Sequence, residues 1–283
     1  MQIREVIDRL KKYHQGWGKI DDKTTRDQIL FGNPDQECTG IVICIWPSVN
    51  VIKRALATGA NLIVSHEALF WNHGDHTDWL EEQKNKTYLE KKALLEQGNI
   101  CVWRDHDYIH SGIPNPQGEG YVDGIFYGLA KELGWTDYIQ NGESCTEFVL
   151  PQTTVQEVAN RFMTKLGAAG MKLVGEKSQP VTTAEILFHV LGDAKDMIHK
   201  ADKKDTSLLI AMELIDFTLT EYVKDSSQLQ KNRSILCMGH FNTEEPGMKY
   251  CLEYFPKAIG EDIPIEFVKA GDMYEYLVPD TQQ

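Results

Sequence analysis

The chain has 283 residues, 42% of them hydrophobic and 25% charged, with 29 basic against 42 acidic side chains and a formal charge of −13. That is ordinary globular composition, with apolar material for one large domain or two modest ones. The acidic balance speaks against tight nonspecific nucleic-acid binding, which needs clustered Lys and Arg, while a bound cation would reverse the local sign for a small phosphorylated substrate.

Met1 leads into an amphipathic helix with Ile3, Val6, Ile7 and Leu10 on one face, so no signal peptide is expected. No apolar stretch approaches the length of a membrane span, and a cytoplasmic protein without a membrane partner is expected. The six cysteines, Cys38, Cys44, Cys101, Cys145, Cys237 and Cys251, are scattered without a CxxC pair. They do not form a disulfide framework, and those inside apolar runs read as small buried hydrophobes.

A strand over 40–46 is followed by a helix opened by Pro47 and Ser48 and carried by Val51, Ile52, Ala55 and Leu56. The next strand is 62–65. A helix over 88–97 stops at Gly98 ahead of a strand around Cys101, and Val122, Ile125, Phe126, Leu129 and Leu133 mark a helix closed by Gly134. Leu150-Pro151-Gln152 reads as a boundary. Beyond it come a helix with Val155, Val158, Phe162 and Leu166 on one face, strands at 184–190 and 208–214, a helix over 217–223, and a strand at 234–238.

Strands alternating with helices predict an α/β fold with much parallel pairing. Three strand-like runs end in histidines and carboxylates: 60–64 before Ser65-His66-Glu67, 100–103 before Asp105-His106-Asp107 and His110, and 234–238 before His240 and Glu244. One site can collect these only if the last strand rejoins the first layer. The expectation is therefore two α/β layers, a first domain built from both chain ends (1–145 and 234–283) and a second α/β domain inserted (146–233).

Each cluster also has a plainer reading. A strand-end histidine is often a hydrogen-bonding group, an Asp-rich loop is often solvated, and a carboxylate near a helix start answers the helix dipole. Asp105 and Asp107 suit metal ligation or the orienting of imidazoles. Thr243 reads as an N-cap, with Pro246 in the first turn and His240 on the preceding loop. The segment from His73 to Asp78 reads as a rim loop, a lid over substrate rather than a source of ligands.

Taken together, these segments resemble the GTP cyclohydrolase I type 2 homolog family, the Nif-three-like dinuclear-metal proteins, over nearly the whole chain. Asp27-Gln28-Ile29-Leu30-Phe31-Gly32 is similar to the family's DN-x-GL-x-x-G segment and 62–70 to its (T/V)HHxxxF turn. Residues 103–110 resemble HTxLD, Glu213 the carboxylate of TGE, and 239–244 GHxxxE. Two departures stand out: Glu67 occupies the place of the second histidine, and His110 that of the aspartate. The implied ligand set of three imidazoles and two carboxylates is kept in composition as His66, Glu67, His110, His240 and Glu244.

With the bridging aspartate replaced by an imidazole, Glu67 or Glu244 must bridge, or one ion binds well. The resemblance implies two divalent metal ions (zinc, iron, manganese or nickel suit mixed N and O ligands), a homo-hexamer and a small-molecule substrate. A metal-dependent hydrolase is the expectation, acting on a nucleotide, phosphoester or small heterocycle, with His106 as general acid or base. The rival is a noncatalytic metal-binding, metal-handling or scaffold protein. An open coordination position and a substrate pocket would separate the two.

Overall fold

A computed structural model describes residues 1–14, 16, 18, 20–190, 195–203 and 207–277. The chain opens with helix α1 (Ile3–Tyr13), which buries Ile3, Val6, Ile7 and Leu10, the stripe its periodicity predicts. Strands β1 (Ile29–Phe31) and β2 (Ile41–Cys44) follow. Helix α2 (Val49–Thr58) starts where the Ser48 side chain accepts the Val51 N–H and stops at Gly59, whose φ of 74° suits a residue without a Cβ. Next come β3 (Leu62–Ser65), α3 (Asp78–Glu82), α4 (Lys86–Gln97), β4 (Cys101–Arg104) and α5 (Asp107–Ser111). A short ribbon of β5 (Ile113–Pro114) and β6 (Tyr121–Val122) precedes α6 (Gly124–Leu133).

The later elements are β7 (Glu147–Thr154), α7 (Val155–Leu166), β8 (Lys172–Val174), β9 (Pro180–Leu187) and α8 (Lys195–Lys203). They continue with β10 (Leu208–Ala211), α9 (Leu219–Gln228), β11 (Ser234–Cys237), α10 (His240–Ile259) and β12 (Ile265–Phe267). Two compact units result. The first comprises 1–128 and 245–271, the second 129–244 and 272–283.

The first unit holds a sheet in the order β1-β4-β3-β2-β12, parallel except for β1 at the edge. Its inner strands β2, β3 and β4 are buried throughout, so they read as continuous apolar runs rather than alternating ones. Val51, Ile52 and Ala55 of α2 and Leu95 of α4 pack on Val42, Ile63 and Val102. The second unit holds the order β7-β9-β10-β11-β8, with β9, β10 and β11 parallel and both edges antiparallel. Leu209, Ala211, Ile235 and Cys237 form its core with Leu219 and Val223 of α9.

In each sheet three parallel strands end level with one another. Cys44 pairs with Ser65 and Ser65 with Arg104 in the first, and Leu187, Ala211 and Cys237 are paired across the second. Within each sheet, taken by itself, residues just past those ends therefore gather along one edge, the edge where α/β sheets carry ligands.

Two expectations are corrected. The strand Ser234–Cys237 does not return to the first sheet; β10 flanks it on one side and β8 on the other, and β12, paired with β2, makes the return instead. A four-residue apolar run fits any buried sheet position, so its pattern carries no address. Leu150, Pro151 and Gln152 lie inside β7 rather than in a linker. Pro151 is accommodated because β7 is an edge strand whose register with β9 is irregular between Val149 and Thr153. The six cysteines are all free and buried, and for Cys44, Cys101 and Cys237, inside apolar runs, burial is the expectation. Among the described residues no helix is long and apolar enough to cross a membrane.

Candidate metal centre

The turn after β3 folds back on the preceding loop, because the N–H groups of His66 and Glu67 both donate to the Ile45 carbonyl, at 3.2 and 2.8 Å. His66 is fully buried there. After β4, Asp105 donates its N–H to the Ser65 carbonyl at 2.8 Å, and α5 begins at once. His106 caps that helix and His110 follows one turn later, so both rings lie on one face. The His66 ring stacks on His106 at 4.5 Å between centroids and meets His110 edge-on at 5.0 Å; His106 and His110 are 5.1 Å apart. Each of the three offers one ring nitrogen within 4.8 Å of the others.

Each imidazole is held by its Nδ1. That of His66 lies 3.0 Å from the Asp105 carbonyl oxygen, that of His106 2.9 Å from Asp107 Oδ1, and that of His110 2.7 Å from Asp123 Oδ2. A carbonyl or carboxylate oxygen can only accept, which puts the hydrogen on Nδ1 and makes Nε2 the nitrogen able to accept a proton or a metal. Metal-ligating histidines are oriented in this way. Burial first, then the neighbouring His106 and His110, push the His66 pKa well below the usual imidazole value, so the ring is neutral. The bond from His106 holds the Asp107 carboxyl well below its usual range.

The supports reach further. Asp27 accepts the N–H groups of His106, Asp107 and Tyr108 at 2.8, 2.7 and 2.7 Å, anchoring the start of α5. Burial and the nearby Asp105 raise its pKa to about 6. Asp105 also pairs with the buried His14, Nδ1 to Oδ2 at 3.1 Å, and His14 Nε2 meets the Tyr254 hydroxyl at 3.0 Å.

Glu67 offers a carboxylate oxygen within 4.8 Å of the His66 ligand atom. It also accepts from Arg104 Nη2 at 3.2 Å. The buried Arg104 donates in addition to the carbonyls of His66 and His73, at 3.0 and 2.9 Å, which pins the turn and the following loop together. Asp75 Oδ1 accepts the N–H groups of Leu69 and Phe70, so the loop read as a lid is tied down from within.

In the second unit His240 starts α10 and Glu244 lies one turn on. His240 Nε2 is 3.0 Å from Glu244 Oε2, and its Nδ1 is 2.9 Å from Glu213 Oε1. This corrects the expectation of His240 on a loop. Thr243 does not cap the helix; its hydroxyl donates to the Gly239 carbonyl at 2.8 Å, a bond back along a helix already under way, and Pro246 falls in the second turn. Glu213 Oε1 also lies 2.9 Å from His189 Nδ1. Burial raises the Glu213 carboxyl pKa, but the bonds from His240 and His189 more than reverse this and leave it below its usual value.

Four residues of this scaffold were not singled out from the sequence. Asp123 had a usable signal, since an Asp just before an apolar helical stripe reads as an N-cap, and its Oδ1 does accept the Ile125 and Phe126 N–H groups. His189 follows a strand end as the other histidines do. Arg104 and His14 had no local signal, because their partners are distant in sequence.

Residues 1–106 and 119–272 match the DUF34/NIF3 (NGG1p interacting factor 3) family. The chain belongs to that family. Among curated proteins it is similar to the GTP cyclohydrolase 1 type 2 homolog of Clostridium perfringens, 23% identical over 256 residues that cover 88% of this chain and 90% of the relative. Its fold is similar to that of a Bacillus cereus protein related to NIF3 (TM-score 0.68, 14% identity, 98% of this chain and 99% of that one). Reduced HcgD from Methanocaldococcus jannaschii is a further neighbour (TM-score 0.62, 16% identity, 94% and 97%).

The residues present fit a divalent ion. Imidazoles with fixed tautomers, beside carboxylates, form a donor set that zinc, iron and manganese accept. A metal-binding role for this DUF34/NIF3 chain is therefore consistent with its chemistry.

Proposed function

We propose that this protein is a metal-dependent hydrolase of the cytoplasm that holds two divalent ions. The ligand set taken from the sequence pattern is His66, Glu67, His110, His240 and Glu244. The observation that carries the reading is the pair of proposed ligands His66 and His110, whose Nδ1 atoms are each bound to an oxygen so that the tautomer is fixed, with the His106 ring stacked on His66 beside them, an arrangement of little use in a purely structural cluster. A divalent ion there supplies Lewis-acid chemistry. His106, more exposed than His66 and held by Asp107, is the proposed general acid or base. Arg104 and Asp27 keep the turn and the helix that carry these side chains in place.

The substrate class follows the curated relative's name only loosely: a nucleotide, a phosphoester or a small heterocycle. A hexamer is proposed on the family resemblance. The test is elemental analysis of purified protein and of the His66→Ala, His110→Ala and His240→Ala variants, followed by a hydrolase screen over those three classes with and without EDTA. Each variant should lose metal, and turnover should vanish with chelator. Full metal content in all three variants overturns the ligand set. Metal-loaded protein without turnover on any class overturns the hydrolase and leaves a metal-handling protein. Glu67→His should weaken binding and Glu67→His with His110→Asp should restore it; a double variant no better than the worse single one removes the compensation argument.

A further inference from the structure

Within the second unit, three adjacent parallel strands end level, with Ala211 paired to both Leu187 and Cys237. Two residues past β9 stands His189, two past β10 Glu213, and three past β11 His240. The register of the sheet thus delivers two imidazoles and one carboxylate to the same spot. Glu213 Oε1 lies 2.9 Å from the Nδ1 of each histidine, the rings are 5.2 Å apart, and one atom from each residue falls within 4.8 Å of the others. The second oxygen, Glu213 Oε2, is buried and has no hydrogen-bond partner among the described residues.

We infer that His189, Glu213 and His240 form a divalent-cation site of their own, with zinc the ion that best suits two imidazoles and a carboxylate. Ligand atoms on a tetrahedral zinc with bonds of about 2.0 to 2.1 Å stand about 3.3 Å apart, so each of the two spacings from Glu213 Oε1 to a ring Nδ1 needs widen by only a few tenths of an ångström. The ion takes the place of the hydrogens now shared between Glu213 and the rings, and the buried Oε2 gains a partner. Two of the three ligands, Glu213 and His240, line a cavity of about 280 Å³ together with Lys172, Phe241, Tyr274 and Tyr276, which gives the ion an open side. Three protein ligands with one open position is the pattern of a reactive rather than a closed structural site. Nothing in the sequence pattern used for the main ligand set includes His189 or Glu213 as ligands.

The inference shares His240, and so part of the metal-binding reading, but makes no use of hydrolysis. His240 Nδ1 serves here, whereas Nε2 faces Glu244.

The test is zinc titration of chelator-stripped full-length protein, read by calorimetry and by elemental analysis after dialysis. Parent, His66→Ala, His189→Ala, Glu213→Gln and the His66→Ala with His189→Ala double variant are compared. The His189 side chain is 59% exposed, so its removal should leave the fold intact, checked by circular dichroism. The expected result is that His189→Ala and Glu213→Gln each lose one class of zinc, or weaken it at least tenfold, while His66→Ala retains that class and the double variant lacks it. His189→Ala with the parent's stoichiometry and affinity overturns the inference, and so does a His66→Ala protein that binds no zinc. Loss of all zinc in His189→Ala with no change in His66→Ala overturns the main ligand set instead and upholds this site.

Discussion

Asp123 divides its carboxylate between two tasks: Oδ2 holds His110 Nδ1 at 2.7 Å, while Oδ1 accepts the N–H groups of Ile125 and Phe126 at 2.9 and 3.0 Å. One side chain thereby fixes both the start of α6 and the direction of a candidate ligand. Asp123→Asn separates these tasks, because asparagine caps a helix about as well as aspartate but is a weaker acceptor for an imidazole N–H. Zinc affinity should fall about 10- to 100-fold, the usual cost of losing a ligand's supporting carboxylate. Thermal stability of the metal-free protein should change by less than about 1 kcal/mol. Competition with a chromogenic chelator gives the first number, and an unchanged affinity would remove Asp123 from the metal centre.

Asp27 makes a contrasting prediction. Its two oxygens take three N–H groups at the head of α5, and asparagine offers only one oxygen and turns an N–H₂ toward the remaining donor. At least one buried backbone N–H then loses its acceptor, at a cost of about 1 to 3 kcal/mol. Urea unfolding of metal-free Asp27→Asn should show that loss as a lower midpoint with an unchanged slope. A variant as stable as the parent would mean that water or a shifted helix satisfies the donors.

The two aspartates show how far local sequence carries. Amphipathic stripes such as Ile3, Val6, Ile7 and Leu10 specify a helix because burial repeats with the helical period, and the strand at Leu62–Ser65 was legible to the residue. Clustering of His66, His106 and His110 was likewise foreshadowed, since each follows a buried strand. From the sequence Asp107 suits the orienting of an imidazole, and it does hold His106; the anchors of the helix start and the turn were not foreshadowed, because Asp27 and Arg104 act across dozens of residues and a hydrogen bond leaves no periodic trace. The sheet taken by Ser234–Cys237 was invisible for a similar reason: its four buried residues suit either sheet, and only the partners on each side decide.

Lys91 gives a pH-dependent prediction. Its ammonium is buried among the rings of Trp46, Phe70 and Trp71, 5.4 to 5.6 Å from their centroids, and donates to the Leu69 carbonyl at 2.6 Å. Burial lowers its pKa from 10.5 to about 8. Between those values the unfolded chain binds the proton more readily than the folded one, so this residue's contribution to stability rises with pH across that window. Below about pH 8 the full cost of burying the charge applies, on the order of 3 kcal/mol. Lys91→Met should remove the slope. Urea midpoints of parent and variant at pH 7, 9 and 10 should converge as pH rises; a constant difference would show that the lysine keeps its ordinary pKa.

The level strand ends have a consequence for how such a protein changes over generations. In β3, β4, β9, β10 and β11 the paired residues end before the candidate ligands that follow each strand, and the turn after β3 is held by the N–H groups of His66 and Glu67 as well as by their side chains. A substitution at 66, 67, 106, 110, 189, 213 or 240 therefore leaves the ladder bonds untouched. Mutational drift at these positions is tried chiefly against metal preference, reactivity and the local turn, with the strand pairing spared. An exchange such as glutamate for histidine at 67 and histidine for aspartate at 110 is then a pair of steps coupled through metal binding rather than through strand pairing, and the same latitude makes these seven positions a compact target for directed evolution of new metal specificities.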